Sequence, residues 1–326
     1  MTSFIGRRRE LAAVKRLLSR GRLVTLTGVG GVGKTRLAIR VAGQIRRAFP
    51  DGVWLVDLAP AEARGSPARL VAEVLGCRGR PDPATLAEYV RDKRLLLVLD
   101  NCEHLLPQCA TLADRLLRSA PWVRILATSR QPLGVAGEHI QVVPPLPVPE
   151  AVDGPDEQVA ACDAVRLFAE RASAVLPDST IDTENGAAVA RLCRRLDGIP
   201  LAIELAAERM PALPVQEIEA RLDDRFELLG RQRPAAAPRQ QTLRAAIDRS
   251  YDLCSPQEQA LWGRLSVFSG GCGLEAIEQI CSGTDLPKDR MLDITAGLVD
   301  KSILHPDTRS AQMRYHLLET LRLYGR

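Results

Sequence analysis

Residues 25–38 read TLTGVGGVGKTRLA and contain the pattern G-x-x-x-x-G-K-[ST] at residues 28–35. The glycines of this pattern let the backbone turn sharply and approach a ligand closely. They are Gly28, Gly30, Gly31 and Gly33. An apolar strand precedes the pattern and a helix-forming segment follows it, which is the context of a phosphate-binding loop. We therefore predict that residues 28–35 cradle phosphate groups at the N-terminus of a helix.

Two side chains of the loop have expected roles. Lys34 should bridge the β- and γ-phosphates, and Thr35 should give its hydroxyl to Mg²⁺. The backbone amides of residues 30–35 should converge on the β-phosphate. The residues expected to contact the nucleotide are Val29, Gly30, Gly31, Val32, Gly33, Lys34, Thr35 and Arg36.

A second candidate lies in LLLVLDNCEH, residues 95–104, where Asp100 ends an apolar run. An acid at the end of a strand holds Mg²⁺ in P-loop folds, although Asp100 could instead cap a helix that starts near Leu105. The next residue is Asn101, whose amide cannot accept a proton as a general base can. Glu103 or His104 could take that role, and we expect slow hydrolysis.

Arg130 follows the predicted fourth strand in ATSRQPLG. Ligands of such sheets bind at the carboxyl ends of the strands, where a guanidinium can contact a terminal phosphate. We therefore predict Lys34, Asp100 and Arg130 as the catalytic residues, with Thr35 and Asp100 as metal ligands. No NKxD-type guanine-reading motif occurs, so the expected cofactors are ATP or ADP with Mg²⁺.

Apolar runs alternate with helical patterns in the first half of the chain, which predicts an α/β fold with a doubly wound parallel sheet. The runs lack internal alternation, which is typical of strands buried on both faces. The predicted strands are residues 22–28, 52–59, 94–100, 122–129 and 139–146.

The pattern then changes to helices. Residues 143–156 and 230–240 are rich in proline and read as linkers, and the segment between them is helical throughout. Further helices precede two strand-like runs at 302–306 and 313–319, and a last helix runs to the final residue. We therefore predict a P-loop nucleotide-binding α/β domain (1–150), an all-helical domain (151–232) and a winged-helix domain (233–326).

Composition excludes several classes of protein. A net charge of +4 over 326 residues gives no reason to expect a surface that coats nucleic acid. The eight cysteines form no CxxC pair, which argues against a zinc site. No apolar run approaches the ~18 residues of a membrane span, and no signal peptide is recognisable, so we expect a cytoplasmic protein.

Several separated motifs together resemble the NB-ARC module of STAND-type signal-transduction ATPases. They are FIGRRREL (4–11), GVGGVGKT (28–35), LLLVLDNCEHL (95–105), ILATSRQPLG (125–134), GIPLAIELAAER (198–209), QTLRAAIDRSYDLC (241–254) and YHLLETLRLYG (315–325). The chain also resembles the large LuxR-type ATP-binding regulators and the streptomycete antibiotic regulatory proteins. The loop alone is generic, whereas its combination with TSR and GIPL is specific.

The resemblance implies further site residues. Ile5, Gly6 and Arg7 should touch the base or ribose, and Pro200 should close over the adenine. The family's winged-helix histidine, which touches the β-phosphate of ADP, corresponds to His316, although Tyr315 could equally occupy that position.

The resemblance also implies a switch that rests closed with ADP, opens with ATP and Mg²⁺, and then self-associates. Repeat, effector or DNA-binding domains would lie outside these residues. A metabolic P-loop enzyme is an alternative, but residues 150–326 contain no second constellation of acid, base or acceptor-binding residues. A DNA-binding winged helix is another; its candidate recognition helix, 288–302, offsets its basic residues with Asp289, Asp293 and Asp300, so direct DNA binding is not expected.

Overall fold

The computed structural model describes residues 3–59, 66–77, 82–149, 156–177, 181–182, 185–222, 225–229, 242–307 and 313–326. The chain forms two compact units. The sheet unit comprises Arg7–Gly28 and Gly33–Val143, and the helical unit comprises Met1–Gly6, Val29–Val32 and Pro144–Arg326. The predicted boundary at 150 and the predicted linker at 230–240 lie outside the described residues, so the division into three domains stays a prediction.

The sheet unit is built on a five-stranded sheet of order β2-β3-β4-β1-β5. All of its pairings are parallel, as the alternation of strands and helices predicts. The strands are β1 (Leu23–Thr27), β2 (Val53–Asp57), β3 (Leu96–Asp100), β4 (Arg124–Thr128) and β5 (Glu138–Val142). The predicted α/β architecture of a P-loop NTPase is therefore confirmed.

Burial differs between the central and the edge strands. β1 and β3 are buried along their whole length, as their unbroken apolar runs predict. The expectation of full burial is wrong for β2 and β5, where Leu55 is 46% exposed and Ile140 is 49% exposed. Both strands lie at edges of the sheet, so part of each remains in contact with solvent.

The helices of the sheet unit are α1 (Arg8–Arg20), α2 (Lys34–Ile45), α3 (Pro67–Leu75), α4 (Pro83–Val90) and α5 (Leu106–Ser119). Proline stands at or next to the first position of the last three, where its missing N–H costs nothing. Asp82 caps α4 by accepting hydrogen bonds from the amides of Ala84 and Thr85, each at 2.9 Å. A short 3-10 helix, Cys102–Leu105, joins β3 to α5.

The helical unit first contains α6 (Asp156–Ala161), α7 (Asp163–Val175), α8 (Gly186–Arg195), α9 (Pro200–Ala207), α10 (Val215–Ala220) and α11 (Arg225–Leu228). This part is helical, as predicted. Asp197 and Gly198 both have positive φ, of 54° and 65°, between α8 and α9. The chain thus reverses sharply just before Pro200, the first residue of α9.

The rest of the helical unit combines helices with a small antiparallel sheet of order β6-β8-β7. Its elements are α12 (Leu243–Asp252), α13 (Pro256–Leu265), β6 (Cys272–Gly273), α14 (Leu274–Ile280), α15 (Met291–Asp300), β7 (Leu304–Asp307), β8 (Arg314–Leu317) and α16 (Glu319–Tyr324). The two predicted strands are present, whereas β6 was not predicted because two residues carry no periodicity. The last helix ends at Tyr324 rather than at the final residue, and the N–H of Gly325 donates to the carbonyl of Leu321.

No helix within the described ranges is long and apolar enough to cross a membrane.

Candidate functional site

Polar side chains meet at the carboxyl ends of neighbouring strands in the sheet unit. The register pairs Asp57 at the end of β2 with Asp100 at the end of β3. Thr128, at the end of β4, pairs with Leu26 of β1, two residues before the phosphate-loop pattern begins. Because the strands are parallel, their carboxyl ends share one edge of the sheet, which is where ligands of this architecture bind.

Asp100 is the centre of a hydrogen-bond cluster. Its Oδ1 accepts from the hydroxyls of Thr35, at 2.7 Å, and Thr128, at 2.5 Å. Its Oδ2 accepts from the amide of Asn101 at 3.1 Å. Burial raises the pKa of Asp100, and the bonds from the two threonines oppose that rise. A cation beside this carboxylate would favour its ionised form.

Asn101 lies in the left-handed region, with φ of 64°, where asparagine is tolerated better than most residues. Its Nδ2 donates to Asp57 Oδ1 and to Asp100 Oδ2, each at 3.1 Å. Its backbone N–H donates to the Thr128 hydroxyl at 3.0 Å. The amide therefore joins two carboxylates without adding a charge.

Lys34 begins α2, directly after the glycines of the loop. Its Nζ donates to the carbonyl oxygen of Gly28 at 2.7 Å. Burial lowers the pKa of Lys34 to about 8, and the charge of Glu103 is the largest effect in the opposite direction. The ammonium group is thus held at Gly28, near the carboxylates of Glu103 and Asp100.

Arg130 is buried, and its Nε lies 3.2 Å from Glu103 Oε1. Glu103 comes from the 3-10 helix that follows β3, so the ion pair joins the ends of β3 and β4. Burial alone would raise the pKa of Glu103, but the positive charges of Lys34 and Arg130 lower it overall. Glu103 is therefore ionised and bound to Arg130.

Two glycines of the loop differ in their surroundings. Gly33 has φ of 96°, and a Cβ added there would meet no atom of the described residues within 4 Å. Gly31 has φ of 78°, and a Cβ there would lie 2.7 Å from the Cβ of Leu201. The Gly31 carbonyl also accepts a hydrogen bond from Leu201 N at 3.2 Å. Within the helical unit, the start of α9 is therefore fastened to the loop.

The other predicted loop residues occupy mixed environments. Val29 and Val32 are buried, whereas Gly30 and Arg36 are half-buried. Leu37 N donates to the Gly33 carbonyl at 3.0 Å, which continues the first turn of α2.

The predicted base-contacting residues precede α1. Ile5 is half-buried, and Gly6 and Arg7 have positive φ of 65° and 63°. A side chain on Gly6 would collide with the carboxylate of Asp163 in the helical unit. Arg7 is buried in the sheet unit and pairs with Glu10 at 3.2 Å.

Pro200 and His316 belong to the helical unit. Pro200 is the first residue of α9, one residue before the Leu201 amide that donates to Gly31. His316 lies in β8 opposite His305 of β7, and its ring lies against Gly271. Tyr315, the other candidate in this strand, pairs with Cys272 and Pro306.

The residues present fit a magnesium nucleotide. The Thr35 hydroxyl and Asp100 carboxylate are adjacent hard oxygen donors of the type that Mg²⁺ prefers. The open space at Gly33 leaves room for a ligand to approach the backbone. Sequence reasoning missed Asp57 and Thr128, although a polar residue ending an apolar strand was a usable signal for both.

The chain has informative relatives. It is 41% identical over 329 residues to "Uncharacterized protein Rv0894" of Mycobacterium tuberculosis, covering 100% of this chain and 81% of that protein. It is 46% identical over 315 residues to "Putative HTH-type transcriptional regulator Rv0890c" of the same organism, covering 96% of this chain and 34% of that protein. "Regulatory protein AfsR" of Streptomyces coelicolor is 30% identical over 319 residues, covering 92% of this chain and 29% of AfsR. This chain therefore spans about a third of the two named regulators.

A solved structure with a similar fold is the Walker-type ATPase PABY2304 of Pyrococcus abyssi. Its TM-score is 0.62 at 12% identity, with 99% of this chain and 95% of that chain covered. No protein-family model matches this chain. The similarity in structure supports the P-loop NTPase fold, and the similarity in sequence is to regulator-like proteins. Because the match to Rv0894 reaches 41% identity over 81% of that protein, the chain belongs to the protein family of Rv0894.

Proposed function

We propose that this chain is the nucleotide-controlled core of a transcriptional or signalling regulator. It binds ATP or ADP with Mg²⁺ in the sheet unit and hydrolyses ATP slowly. In this proposal the core is of the NB-ARC type: ADP holds it closed, and ATP with Mg²⁺ opens it for self-association. Effector, repeat or DNA-binding domains lie outside these residues.

The observation that carries the proposal is the contact between Thr35 and Asp100. The hydroxyl of Thr35 lies at the start of α2, directly after the glycine-rich loop. It is 2.7 Å from the carboxylate of Asp100 at the end of β3. This is the oxygen pair that would hold Mg²⁺ against the phosphates of a nucleotide. Lys34 then neutralises phosphate charge, and Arg130 contacts the terminal phosphate.

Other contacts of the nucleotide are proposed from the family resemblance. Ile5, Gly6 and Arg7 touch the base or ribose, and Pro200 covers the adenine. The hydrogen bond from Leu201 to Gly31 supports a role for the start of α9 beside the loop. His316 of β8 contacts the β-phosphate of ADP.

Slow hydrolysis follows from the groups beside Asp100. The amide of Asn101 cannot remove a proton from water, and its Nδ2 already donates to Asp57 and Asp100. Glu103 is bound to Arg130 rather than free to act as a base. A switch does not need fast hydrolysis. It needs only two conformations of the protein that differ in their affinities for ATP and ADP.

In this proposed function the chain makes no direct contact with DNA. Lys301, at the end of the candidate recognition helix, places its Nζ 2.5 Å from Glu258 Oε1. Arg290 approaches Asp293 at 4.0 Å. These pairs reduce the positive charge available for phosphate contacts.

Protein purified without added nucleotide would be denatured, and the released nucleotide identified by ion-exchange chromatography. We expect near-stoichiometric ADP from the wild type and little from Lys34→Ala. The matched control is Lys288→Ala, because Lys288 is an exposed lysine in the helical unit.

Equal nucleotide content in Lys34→Ala and wild type would contradict the proposed site. A wild type that carries no nucleotide would be titrated with MgADP and MgATP by calorimetry. Absence of binding to both would overturn the proposed function.

A further inference from the structure

Glu103 has an unusual environment for a carboxylate. Its side chain is only 5% exposed, and Oε1 accepts from Arg130 Nε at 3.2 Å. Its other oxygen, Oε2, is buried and accepts no hydrogen bond from any residue that the structure describes. Burying an ionised oxygen without a hydrogen-bond partner destabilises the fold, so other charges must compensate for the burial of Glu103.

The compensation comes from two cations. Against the effect of burial, the positive charges of Lys34 and Arg130 lower the pKa of Glu103. These are the same two side chains to which the proposed function assigns the phosphates of a nucleotide. Glu103 thus interacts with the same two positive charges that a terminal phosphate would bind.

The carboxylate of Glu103 and a terminal phosphate would both bind the single guanidinium group of Arg130. Its Nε–H is directed at Glu103, whereas a terminal phosphate would need donors of the same planar guanidinium. The 3-10 helix that carries Glu103 begins at Cys102, so only Asn101 separates it from Asp100. The Glu103–Arg130 ion pair therefore lies near Asp100, the proposed metal ligand.

We propose that Glu103 is a built-in competitor of the terminal phosphate, which holds Arg130 when that phosphate is absent and lowers the preference of the site for ATP over ADP. Glu103 is a positioning residue in this account, because it acts through Arg130 and not on the reacting atoms. The inference rests on the proposed function and names the residue that sets its nucleotide preference.

The test is calorimetric titration of nucleotide-free protein with MgADP and with a non-hydrolysable MgATP analogue. In Glu103→Gln the side chain keeps its size but loses its charge, so the ion pair with Arg130 is reduced to a weaker hydrogen bond with a neutral acceptor. We expect affinity for the ATP analogue to rise on the order of tenfold, the size of an ordinary coupling between two groups, with ADP affinity nearly unchanged. The ratio of the two dissociation constants is the readout, because a general loss of structure would weaken both.

Two further variants support the comparison. Glu258→Gln removes another buried glutamate that pairs with a cation, Lys301, in the helical unit, and its affinity ratio should equal that of the wild type. Glu103→Asp keeps the charge but shortens the side chain, and it should shift the ratio in the same direction by a smaller factor. Glu103→Asp also provides the test if Glu103→Gln does not fold.

An unchanged ratio in both Glu103 variants, with tight binding retained, would overturn the inference and leave the proposed function intact. Loss of affinity for both nucleotides in a folded variant would also overturn it, because Glu103 would then only support the structure. A wild type that binds neither nucleotide would instead overturn the proposed function itself.

Discussion

At the scale of single residues, the side-chain amide of Asn101 holds two neighbouring carboxylates together. Its Nδ2 lies 3.1 Å from both Asp57 Oδ1 and Asp100 Oδ2. The pKa of Asp100 is already raised, first by burial and further by the charge of Asp57. A neutral donor at this position stabilises two like charges that would otherwise repel each other.

Replacing Asn101 with Asp should therefore destabilise the fold in a pH-dependent way. A third carboxylate beside Asp100 raises the pKa of Asp100 further in the folded state, so the folded state binds more protons than the unfolded chain. The added penalty is present at pH 7 and disappears as the pH falls toward about 4, the pKa of an unfolded aspartate. We expect a loss of about 1–2 kcal/mol at pH 7 in urea unfolding.

Asn101→Gly is the matched control for this variant. Glycine tolerates the φ of 64° and removes the two amide contacts without adding charge. The difference between the two variants isolates the effect of the third carboxylate. A difference that does not change between pH 7 and pH 4 would refute this explanation.

Residues with roles fixed by local spacing could be predicted from the sequence. The spacing of Lys34 and Thr35 after the glycines implies the start of a helix, and the end of an apolar strand identifies Asp100. The partners of Asn101 and Arg130 could not be predicted, because they depend on the register of β2, β3 and β4 and on the 3-10 helix after β3.

At the scale of elements, α16 depends on a residue more than a hundred positions away. It has six residues, which is too short to be stable alone, and its N-cap residue, Leu318, supplies no side-chain hydrogen bond. Asp197 supplies the cap instead. Its carboxylate accepts from the backbone amides of Glu319, at 3.0 Å, and Thr320, at 2.7 Å.

Variants of Asp197 should therefore loosen α16. Asp197→Gly removes the cap but suits the φ of 54°, and we expect a loss of about 1–2 kcal/mol. Asp197→Ala should lose about 1 kcal/mol more, because alanine is strained at positive φ. Asp197→Asn keeps a side-chain oxygen and should lie nearest to the wild type.

Hydrogen exchange followed by mass spectrometry would measure the effect on each peptide. We expect faster exchange in 319–324 for Asp197→Gly and unchanged exchange in β3 of the sheet unit. Unaltered protection of 319–324 in that variant would show that the cap does not stabilise α16.

Sequence patterns predict some properties of these elements but not others. The alternation of strands and helices predicts the sheet and its parallel direction, but burial at Leu55 and Ile140 depends on strand order, which the pattern does not contain. The partnership of Asp197 with α16 is a contact between two segments that lie far apart in the sequence. Neither the hydrophobic period nor a local capping motif carries that information.

At the scale of the whole molecule, the proposed switch predicts that the bound nucleotide controls self-association. Sedimentation velocity would compare the wild type with MgADP and with a non-hydrolysable MgATP analogue. We expect a monomer with ADP and larger species with the ATP analogue at micromolar concentration. Lys34→Ala should respond to neither nucleotide, because it should not bind them.

The same measurement decides which residue of β8 responds to ADP. If His316 contacts the β-phosphate, His316→Ala should self-associate even with ADP bound, whereas Tyr315→Phe should behave like the wild type. The opposite pattern would assign the contact to Tyr315. His316 also lies opposite the half-buried His305, so thermal unfolding must confirm that the small sheet is intact in each variant. Identical sedimentation of the wild type with both nucleotides would contradict nucleotide control of assembly, even if the sheet unit binds both.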